Sequence, residues 1–329
     1  MMTTQRRIET RPLTIAHRGA CAYLPEHSLA AKAMAHAMGA DYLEQDVVAT
    51  RDDQLVVLHD IHVDRVTNVA AVFPDRQRAD GRYYARDFSL AELQSLELTE
   101  RTDAAGRAVF PSRFPVGDSG LSIPTLDQEI RLVQGMNASM GTKTGIYPEI
   151  KKPAWHHKEG VDVAQLLLEA LSQSGYEQRP DQVFVQCFDV NENIRLRNEL
   201  KCQYRQIQLI ADDAWQEAPT PFATLLTPGG LTQLKGVVAG IGPWIPQLYS
   251  IADDGTVLAT PLIEEAHLLG LEVHPYTLRA DALPAGFDSF EHLLNWLIDA
   301  GIDGVFSDFP DRATAVFDQR AMSPAESAR

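Results

Sequence analysis

Short apolar runs alternate with helix-like segments along most of the chain, and this alternation is the feature that most constrains the fold. Segments 161–174 and 290–300, for example, carry apolar residues at helical spacing. Strict alternation predicts parallel strands covered by helices, and eight such units can close into a barrel. Eight strands are predicted, and they begin near Leu13, Tyr42, Gly145, Gln182, Gln206, Gly236, Leu271 and Gly304. The sequence therefore predicts an α/β fold, a (β/α)8 TIM barrel.

The regular pattern is interrupted between the second and third predicted barrel strands. In segment 61–123, glycines, prolines and charges break the periodicity, and only 90–98 predicts a helix. Because the remaining strands complete one barrel, we expect residues 1–329 to form a single domain with a small inserted subdomain at about 61–123. The segment has enough aromatic residues to pack as a subdomain or lid, namely Phe73, Tyr83, Tyr84, Phe88, Phe110 and Phe114.

Polar side chains stand where the predicted strands end, which is where barrels of this class carry their chemistry. His17 and Arg18 follow the first strand, and Glu44 and Asp46 share one face of the second because strand side chains alternate. The other candidates at strand ends are His59, Glu149, Lys151, Gln186, Phe188, His274, Tyr276, Thr277 and Asp308. We expect all of these residues to converge on one mouth of the barrel.

The residue types at this mouth predict a metal-assisted acid–base site. Carboxylates in a core are costly unless they are paired or bind a metal, and three of them suit a hard cation such as calcium or magnesium. The three are Glu44, Asp46 and Glu149. His17 and His59 are placed to flank a substrate as base and acid. Arg18 and Lys151 would neutralise phosphate charge, and Gln186 and Phe188 complete the expected substrate-binding set.

Composition narrows the partners. The formal net charge of −16 argues against nucleic acid and anionic membrane surfaces. Cys21, Cys187 and Cys202 have no paired spacing, so neither a disulfide framework nor a zinc site is predicted. No signal-peptide core and no run that could span a bilayer is visible, and we expect a cytoplasmic protein, or a periplasmic one if a signal was removed.

Each candidate also has a plainer interpretation. A single histidine is more often a surface or packing residue than a catalyst, and Glu44 with Asp46 could form a solvated edge. The neighbouring His156 and His157 could suggest a second metal site, but adjacent residues do not share a face of a strand or helix. What favours the functional interpretation is that independent residues are predicted at the same end of one barrel.

The motifs closely resemble those of the glycerophosphodiester phosphodiesterases. They are His17-Arg18-Gly19, Glu44-Gln45-Asp46, His59-Asp60, Glu149-Ile150-Lys151, Gln186-Cys187-Phe188 and Ser307-Asp308-Phe309-Pro310, in order along nearly the whole chain. The insertion and the His274-Pro275-Tyr276-Thr277 block are most similar to the bacterial periplasmic, calcium-dependent subgroup. The resemblance implies that glycerophosphodiesters such as glycerophosphocholine and glycerophosphoethanolamine are hydrolysed to an alcohol and sn-glycerol 3-phosphate.

The resemblance also implies roles for individual residues. His17 and His59 would be the acid/base pair, and the substrate's own glycerol 2-hydroxyl would be the nucleophile, through a cyclic phosphate. Arg18 and Lys151 would contact phosphate. The metal would be held by Glu44, Asp46 and Glu149, with calcium favoured over magnesium by the subgroup.

Two features leave alternatives open. Many members carry Asn-Thr where this chain has His27-Ser28, and we expect His27 to form hydrogen bonds near the site rather than to move a proton. The same histidines and metal would also suit a phospholipase-D-like enzyme acting on lysophospholipids or sphingomyelin. A barrel that binds phosphodiesters without catalysis is the third possibility. In all three cases the partner is a small molecule or lipid.

Overall fold

The computed structural model describes residues 11–322, which contain eight parallel strands arranged as a barrel. An additional strand lies antiparallel to the second barrel strand, and a small hairpin lies apart from the barrel. In chain order the strands are β1 Leu13–Ala16, β2 Tyr42–Ala49, β3 Leu55–Val57, β4 Gly145–Ile150, β5 Phe184–Cys187, β6 Arg205–Ile210, β7 Gly240–Pro243, β8 Tyr249–Ile251, β9 Val257–Ala259, β10 Glu272–Val273 and β11 Gly304–Ser307.

The barrel strands follow the order β10-β7-β6-β5-β4-β2-β1-β11. Backbone hydrogen bonds then link the two ends of this order. Phe306 N donates to Pro275 O at 3.0 Å, and Leu278 N donates to Phe306 O at 2.8 Å. These bonds join β11 to the segment that follows β10, so the predicted (β/α)8 fold is confirmed.

Helices connect the strands and cover the outside of the barrel. Side-chain caps begin several of them, including Ser28, Thr125 and Asp162, each of which accepts a hydrogen bond from a backbone N–H in the first turn. The α-helices are α1 Leu29–Ala37, α2 Val69–Val72, α3 Leu90–Gln94, α4 Leu126–Met140, α5 Pro153–Lys158, α6 Val163–Gln173, α7 Val190–Asn198, α8 Phe222–Leu225, α9 Pro228–Leu234, α10 Leu262–Leu268, α11 Phe290–Ala300 and α12 Pro310–Met322. Within 11–322, no helix is long and apolar enough to cross a membrane.

Segment 61–123 packs against β2 and β3 through an apolar cluster of its own. Phe88 and Tyr83 are buried in this cluster. The helix predicted at 90–98 is shorter than expected. It begins with a capping box at Ser89 and ends at Gln94, and the Ser95 hydroxyl donates to the carbonyl of Glu92. The segment also contains the short helix α2, which the broken periodicity did not predict.

Aromatic side chains fill the barrel interior below its C-terminal end. The rings of Tyr147 and Phe184 stack at 4.7 Å, and Phe306 meets Tyr147 edge-on at 5.0 Å. His274 was predicted at the mouth, but it is fully buried in this interior layer, with its Nδ1 2.9 Å from the Tyr147 hydroxyl. Burial lowers the pKa of His274 to about 4, so this histidine is a neutral packing residue and the prediction for it was wrong.

Candidate active site

A cavity of about 230 Å³ opens at the C-terminal end of the barrel. It brings together most of the residues predicted from the strand ends. Those on its wall are His17, Arg18, Glu44, His59, Glu149, Gln186, Phe188, Tyr276 and Thr277. The wall also includes residues that the sequence motifs did not indicate, among them Trp215, Glu217, Trp244 and Arg279. Asp46 and Lys151 are buried directly behind this wall.

A sharp turn after β1 aims the first two candidates into the cavity. Arg18 and Gly19 both have left-handed backbone conformations, with φ of 57° and 89°. A side chain at Gly19 would put its Cβ 2.9 Å from the backbone of Ala31, so only glycine fits this position. The turn presents the backbone N–H of Arg18 to Glu44 Oε2 at 2.8 Å. The backbone of the turn therefore requires glycine after His17 and Arg18, whatever the chemistry of those two side chains.

His17 is held by a carboxylate from the last barrel strand. Its Nδ1 lies 2.5 Å from Asp308 Oδ1, and Asp308 Oδ2 accepts hydrogen bonds from Arg113 and Arg279, both at 2.7 Å. Burial favours the neutral carboxyl, but Arg279 and His17 outweigh it and hold the pKa of Asp308 well below its usual range. With Asp308 ionised, Nδ1 is the donor and Nε2 is left for the substrate. Burial lowers the pKa of His17, which favours a neutral ring.

His59 has a matching arrangement. Its Nδ1 lies 2.7 Å from Asp60 Oδ1, and Asp60 Oδ2 accepts a hydrogen bond from Arg101 at 2.7 Å. Burial lowers the pKa of His59, and the charges of Arg18 and Lys151 lower it further. Two histidines on one cavity thus each have Nδ1 on an aspartate, which leaves each Nε2 to face a bound molecule.

Three carboxylates could hold a metal ion at the base of the cavity. One oxygen each from Glu44, Asp46 and Glu149 lies within 4.8 Å of the other two, and all three side chains are buried. Glu44 and Asp46 are on one face of β2, and the backbone register pairs Asp46 with Glu149 on β4. Gln186 Nε2 donates to Glu44 Oε1 at 2.9 Å and orients it.

The electrostatics of this cluster fit a divalent cation. Burial raises the pKa of Glu44, and it raises that of Glu149 well above its usual range. Asp46 is also opposed by burial, but Lys151 and His27 hold its pKa well below its usual range. Its buried Oδ1 has no hydrogen-bond partner among residues 11–322. A buried carboxylate oxygen that lacks a hydrogen bond and lies beside two other carboxylates is what a hard, oxygen-binding cation would satisfy.

The Lys151 side chain is buried behind the cavity wall, and its ammonium group faces two carboxylates. Its Nζ lies 2.8 Å from Glu149 Oε1 and 3.9 Å from Asp46 Oδ1, and the Glu149 and Asp46 charges raise its pKa despite burial. In this geometry the ammonium compensates the carboxylates. The predicted contact between Lys151 and phosphate stays a prediction.

A buried polar chain lies behind Asp46. His27 Nε2 is 2.6 Å from Asp46 Oδ2, and Lys32 Nζ is 3.2 Å from both His27 Nδ1 and Glu129 Oε2. Burial and Lys32 lower the pKa of His27 to about 3, so it is neutral and donates to Asp46. This agrees with the expectation that His27 forms hydrogen bonds near the site. The sequence motifs did not indicate Lys32. A lysine in the middle of the Ala-rich helical segment 29–37 could have indicated a buried charge.

His156 and His157 do not form a shared site. His156 is buried, with Nδ1 2.8 Å from Lys151 O and Nε2 accepting from Ala49 N at 3.3 Å. His157 is exposed on the same short helix, α5. The two rings therefore diverge, as expected for adjacent residues.

A protein-family model matches most of the chain. The model of the Glycerophosphoryl diester phosphodiesterase family matches residues 17–312. The chain belongs to this family. The match spans every strand end that forms the cavity, from His17 to Asp308, and confirms the resemblance read from the motifs.

Relatives in the family are similar over nearly their whole length. The glycerophosphodiester phosphodiesterase of Haemophilus influenzae is 41% identical over 94% of this chain and 90% of its own, and that of Treponema pallidum is 36% identical over 91% and 90%. Among solved structures, an Oleispira antarctica phosphodiesterase in complex with the product sn-glycerol-3-phosphate matches with a TM-score of 0.64, 20% identity and coverage of 94% and 97%. At that identity the structural match supports the fold.

Glu100 is a buried carboxyl that neither the motifs nor the family match singles out. It is 4% exposed and lies beside Glu26 in a small cavity next to the main one. Burial, and then the charge of Glu26, raise the pKa of Glu100 to about 7. Glu100 is therefore protonated in the folded protein at mildly acidic pH, where the unfolded chain has already released the proton.

Substituting Glu100→Gln is expected to stabilise the protein at pH 8 by about 1–3 kcal/mol and to change little at pH 4. The raised folded-state pKa means that the stability associated with this group is present below the unfolded pKa and is lost as the pH rises towards 7. Urea unfolding at the two pH values measures this difference. The exposed Glu264→Gln is the control, and equal shifts in both variants would contradict the prediction.

Proposed function

We propose that this protein hydrolyses glycerophosphodiesters to sn-glycerol 3-phosphate and an alcohol. The family match and the two curated relatives of 41% and 36% identity support this reaction. The observation that carries the proposal is that two Asp-bound histidines, His17 and His59, line the same cavity as the carboxylate cluster. Proton donor, proton acceptor and metal ligands are thereby within reach of one phosphodiester.

The histidines would divide the proton transfers. One Nε2 takes the proton of the substrate's glycerol 2-hydroxyl as that oxygen forms a bond to phosphorus. The other histidine, which takes up a proton when the anionic phosphodiester binds, gives this proton to the alcohol oxygen as the P–O bond to the head group breaks. Water then opens the resulting cyclic phosphate with the two roles reversed, and both rings return to their starting state. This route requires no nucleophile from the protein.

Arg18 is proposed to bind the phosphoryl group. Its side chain reaches the cavity, and its Nη1 is held by Glu26 at 2.9 Å. The buried Nε of Arg18 has no hydrogen-bond partner among the described residues 11–322, and a carboxylate oxygen, Asp46 Oδ2, lies 3.9 Å from it. Hydrogen bonds aimed at developing charge are a major source of rate acceleration.

Glu44, Asp46 and Glu149 are proposed to hold one divalent cation, which would act as a Lewis acid on the phosphoryl oxygens. Three carboxylates and the amide oxygen of Gln186 form an all-oxygen set, which suits calcium or magnesium. We propose calcium, because the motifs are most similar to the calcium-dependent subgroup. Gln186 Oε1 is buried without a hydrogen-bond partner in the described part of the chain. It is therefore available as a further oxygen ligand.

The test is release of sn-glycerol 3-phosphate from glycerophosphocholine and glycerophosphoethanolamine, with added calcium and with EDTA. Calcium-dependent release is the expected result. Lysophosphatidylcholine and sphingomyelin are assayed in parallel. Release of free choline with lysophosphatidic acid from lysophosphatidylcholine, or with ceramide 1-phosphate from sphingomyelin, and no glycerol 3-phosphate from the two diesters, would favour the phospholipase-D-like alternative. Binding without turnover would favour a non-catalytic barrel.

A further inference from the structure

Two arginines of segment 61–123 reach from the insertion to the barrel mouth. Arg101 donates to both oxygens of Glu26, at 2.8 Å and 2.6 Å, and to Asp60 Oδ2 at 2.7 Å. Arg113 donates to Asp308 Oδ2 at 2.7 Å and forms a two-point pair with Asp281 at 2.8 Å and 2.9 Å. Both guanidinium groups line the small cavity of about 20 Å³ beside the main one.

Every carboxylate that Arg101 touches holds a residue of the proposed site. Glu26 accepts the hydrogen bond from Arg18 Nη1, and Asp60 accepts the one from His59 Nδ1. A single side chain thus fixes the partners of the phosphate-binding arginine and of one catalytic histidine. Its own side chain is largely buried, at 18% exposed, and its hydrogen bonds are charge-assisted.

Arg113 does the same for the other histidine. Asp308 lies between Arg113 and His17 Nδ1, and the Arg113 side chain is only 5% exposed. Asp308 has a second cation, because Arg279 also donates to its Oδ2 at 2.7 Å. Asp60, in contrast, receives its arginine hydrogen bond from Arg101. Replacing Arg113 should therefore lower kcat less than replacing Arg101.

We propose that the inserted segment is a positioning element for catalysis, with Arg101 fixing His59 and Arg18, and Arg113 fixing His17. This inference rests on the proposed function and adds a role for the insertion in the chemistry of the barrel. Arg101 and Arg113 act through Glu26, Asp60 and Asp308 rather than on the substrate. A buried carboxylate that loses its cation is left with unsatisfied oxygens, which is costly, so we expect its orientation, and that of the histidine bonded to it, to change.

The test compares Arg101→Gln and Arg113→Gln with Arg82→Gln. Arg82 forms a similar arginine–aspartate pair with Asp64 at 2.9 Å in the same segment and is therefore a matched control. Small displacements of catalytic groups can lower rates by about 10²-fold, so we expect kcat to fall about 10- to 100-fold for Arg101→Gln and less for Arg113→Gln. Arg101→Lys should recover part of the loss, because lysine restores the charge but not the three directed hydrogen bonds.

A second substrate distinguishes positioning from loss of structure. A glycerophosphodiester with a 4-nitrophenol leaving group needs little protonation of the departing oxygen. A variant that misplaces the general acid therefore loses less on this substrate than on glycerophosphocholine. We expect this leaving-group dependence for one arginine and equal losses on both substrates for the other, which would also assign acid and base between His17 and His59.

Three results would overturn the proposal. They are activity of both glutamine variants within about twofold of Arg82→Gln, losses that are equal on the two substrates for both arginines, and losses fully explained by a smaller folded fraction in circular dichroism. If a glutamine variant does not fold, the corresponding lysine variant decides by the same criteria. Failure of the proposed function gives a different pattern, in which the wild type releases no glycerol 3-phosphate or His17→Ala and His59→Ala remain fully active.

Discussion

Replacing His59 with alanine is expected to lower kcat for glycerophosphocholine by about 10²- to 10⁴-fold, and replacing His17 should do the same. Each ring has its Nδ1 bound to an aspartate at 2.7 Å or 2.5 Å, so each has one nitrogen, Nε2, for proton transfer. Alanine removes that nitrogen while the cavity and its carboxylates remain. Because the two rings act on one reaction, the double variant should be scarcely slower than either single variant.

Steady-state kinetics with saturating calcium measures this effect. The control is His292→Ala, since His292 is exposed on α11 and bonds Asp288 in the preceding loop. Circular dichroism and thermal unfolding establish that the variants are folded. Either single variant retaining kcat near that of the wild type would contradict the acid–base assignment.

Removing divalent cations is expected to have the second large effect. Treatment with EDTA should lower activity by at least about 10³-fold, because Lewis-acid stabilisation by a bound metal is worth several kcal/mol. Asp46→Asn should have a similar effect at low calcium. The pKa of Asp46 is held well below its usual range, so this carboxyl is ionised and provides an oxygen that asparagine replaces with a weaker ligand.

Thermal unfolding provides a readout that is independent of turnover. Calcium at 100 times its dissociation constant should stabilise the wild type by about 2.7 kcal/mol, and magnesium at the same concentration should stabilise it less. Asp46→Asn should reduce the calcium-dependent shift, whereas Asp103→Asn, at a partly exposed position where the carboxylate pairs with Arg107, should leave it unchanged. Full activity of protein shown to be metal-free would contradict the proposal, and a larger shift with magnesium would contradict the choice of calcium.

The barrel and the carboxylate cluster were predictable because both follow from local periodicity. Glu44 and Asp46 are two residues apart on one strand, and parallel strands bring their ends to one edge, so Glu149 was expected beside them. The register that pairs Asp46 with Glu149 agrees with this expectation. His17 was predicted in the same way, and its bond to Asp308 joins the ends of the first and last barrel strands.

Residues outside the periodic pattern could not be predicted. Arg101 and Arg113 lie in a segment without regular spacing, and their partners Asp60 and Asp308 are 41 and 195 residues away along the chain. His274 was misassigned for a related reason. Whether a residue at a strand end faces the mouth or the interior layer depends on the level at which each strand ends, and sequence alone does not give that level. The cytoplasmic location stays a prediction.

The aromatic layer inside the barrel determines how substrate reaches the cavity and how products leave it. The layer consists of aromatic side chains and their aliphatic neighbours, each at most 8% exposed: Ile15, Tyr42, Tyr147, Phe184, Ile207 and Phe306. This layer blocks passage along the barrel axis. The cavity is therefore closed at its base and is not a tunnel through the barrel. Substrate therefore enters, and both products leave, through the same opening at the C-terminal end of the barrel. Glycerol phosphate, whose charge the metal and Arg18 would hold, must therefore depart before the next molecule can be seated.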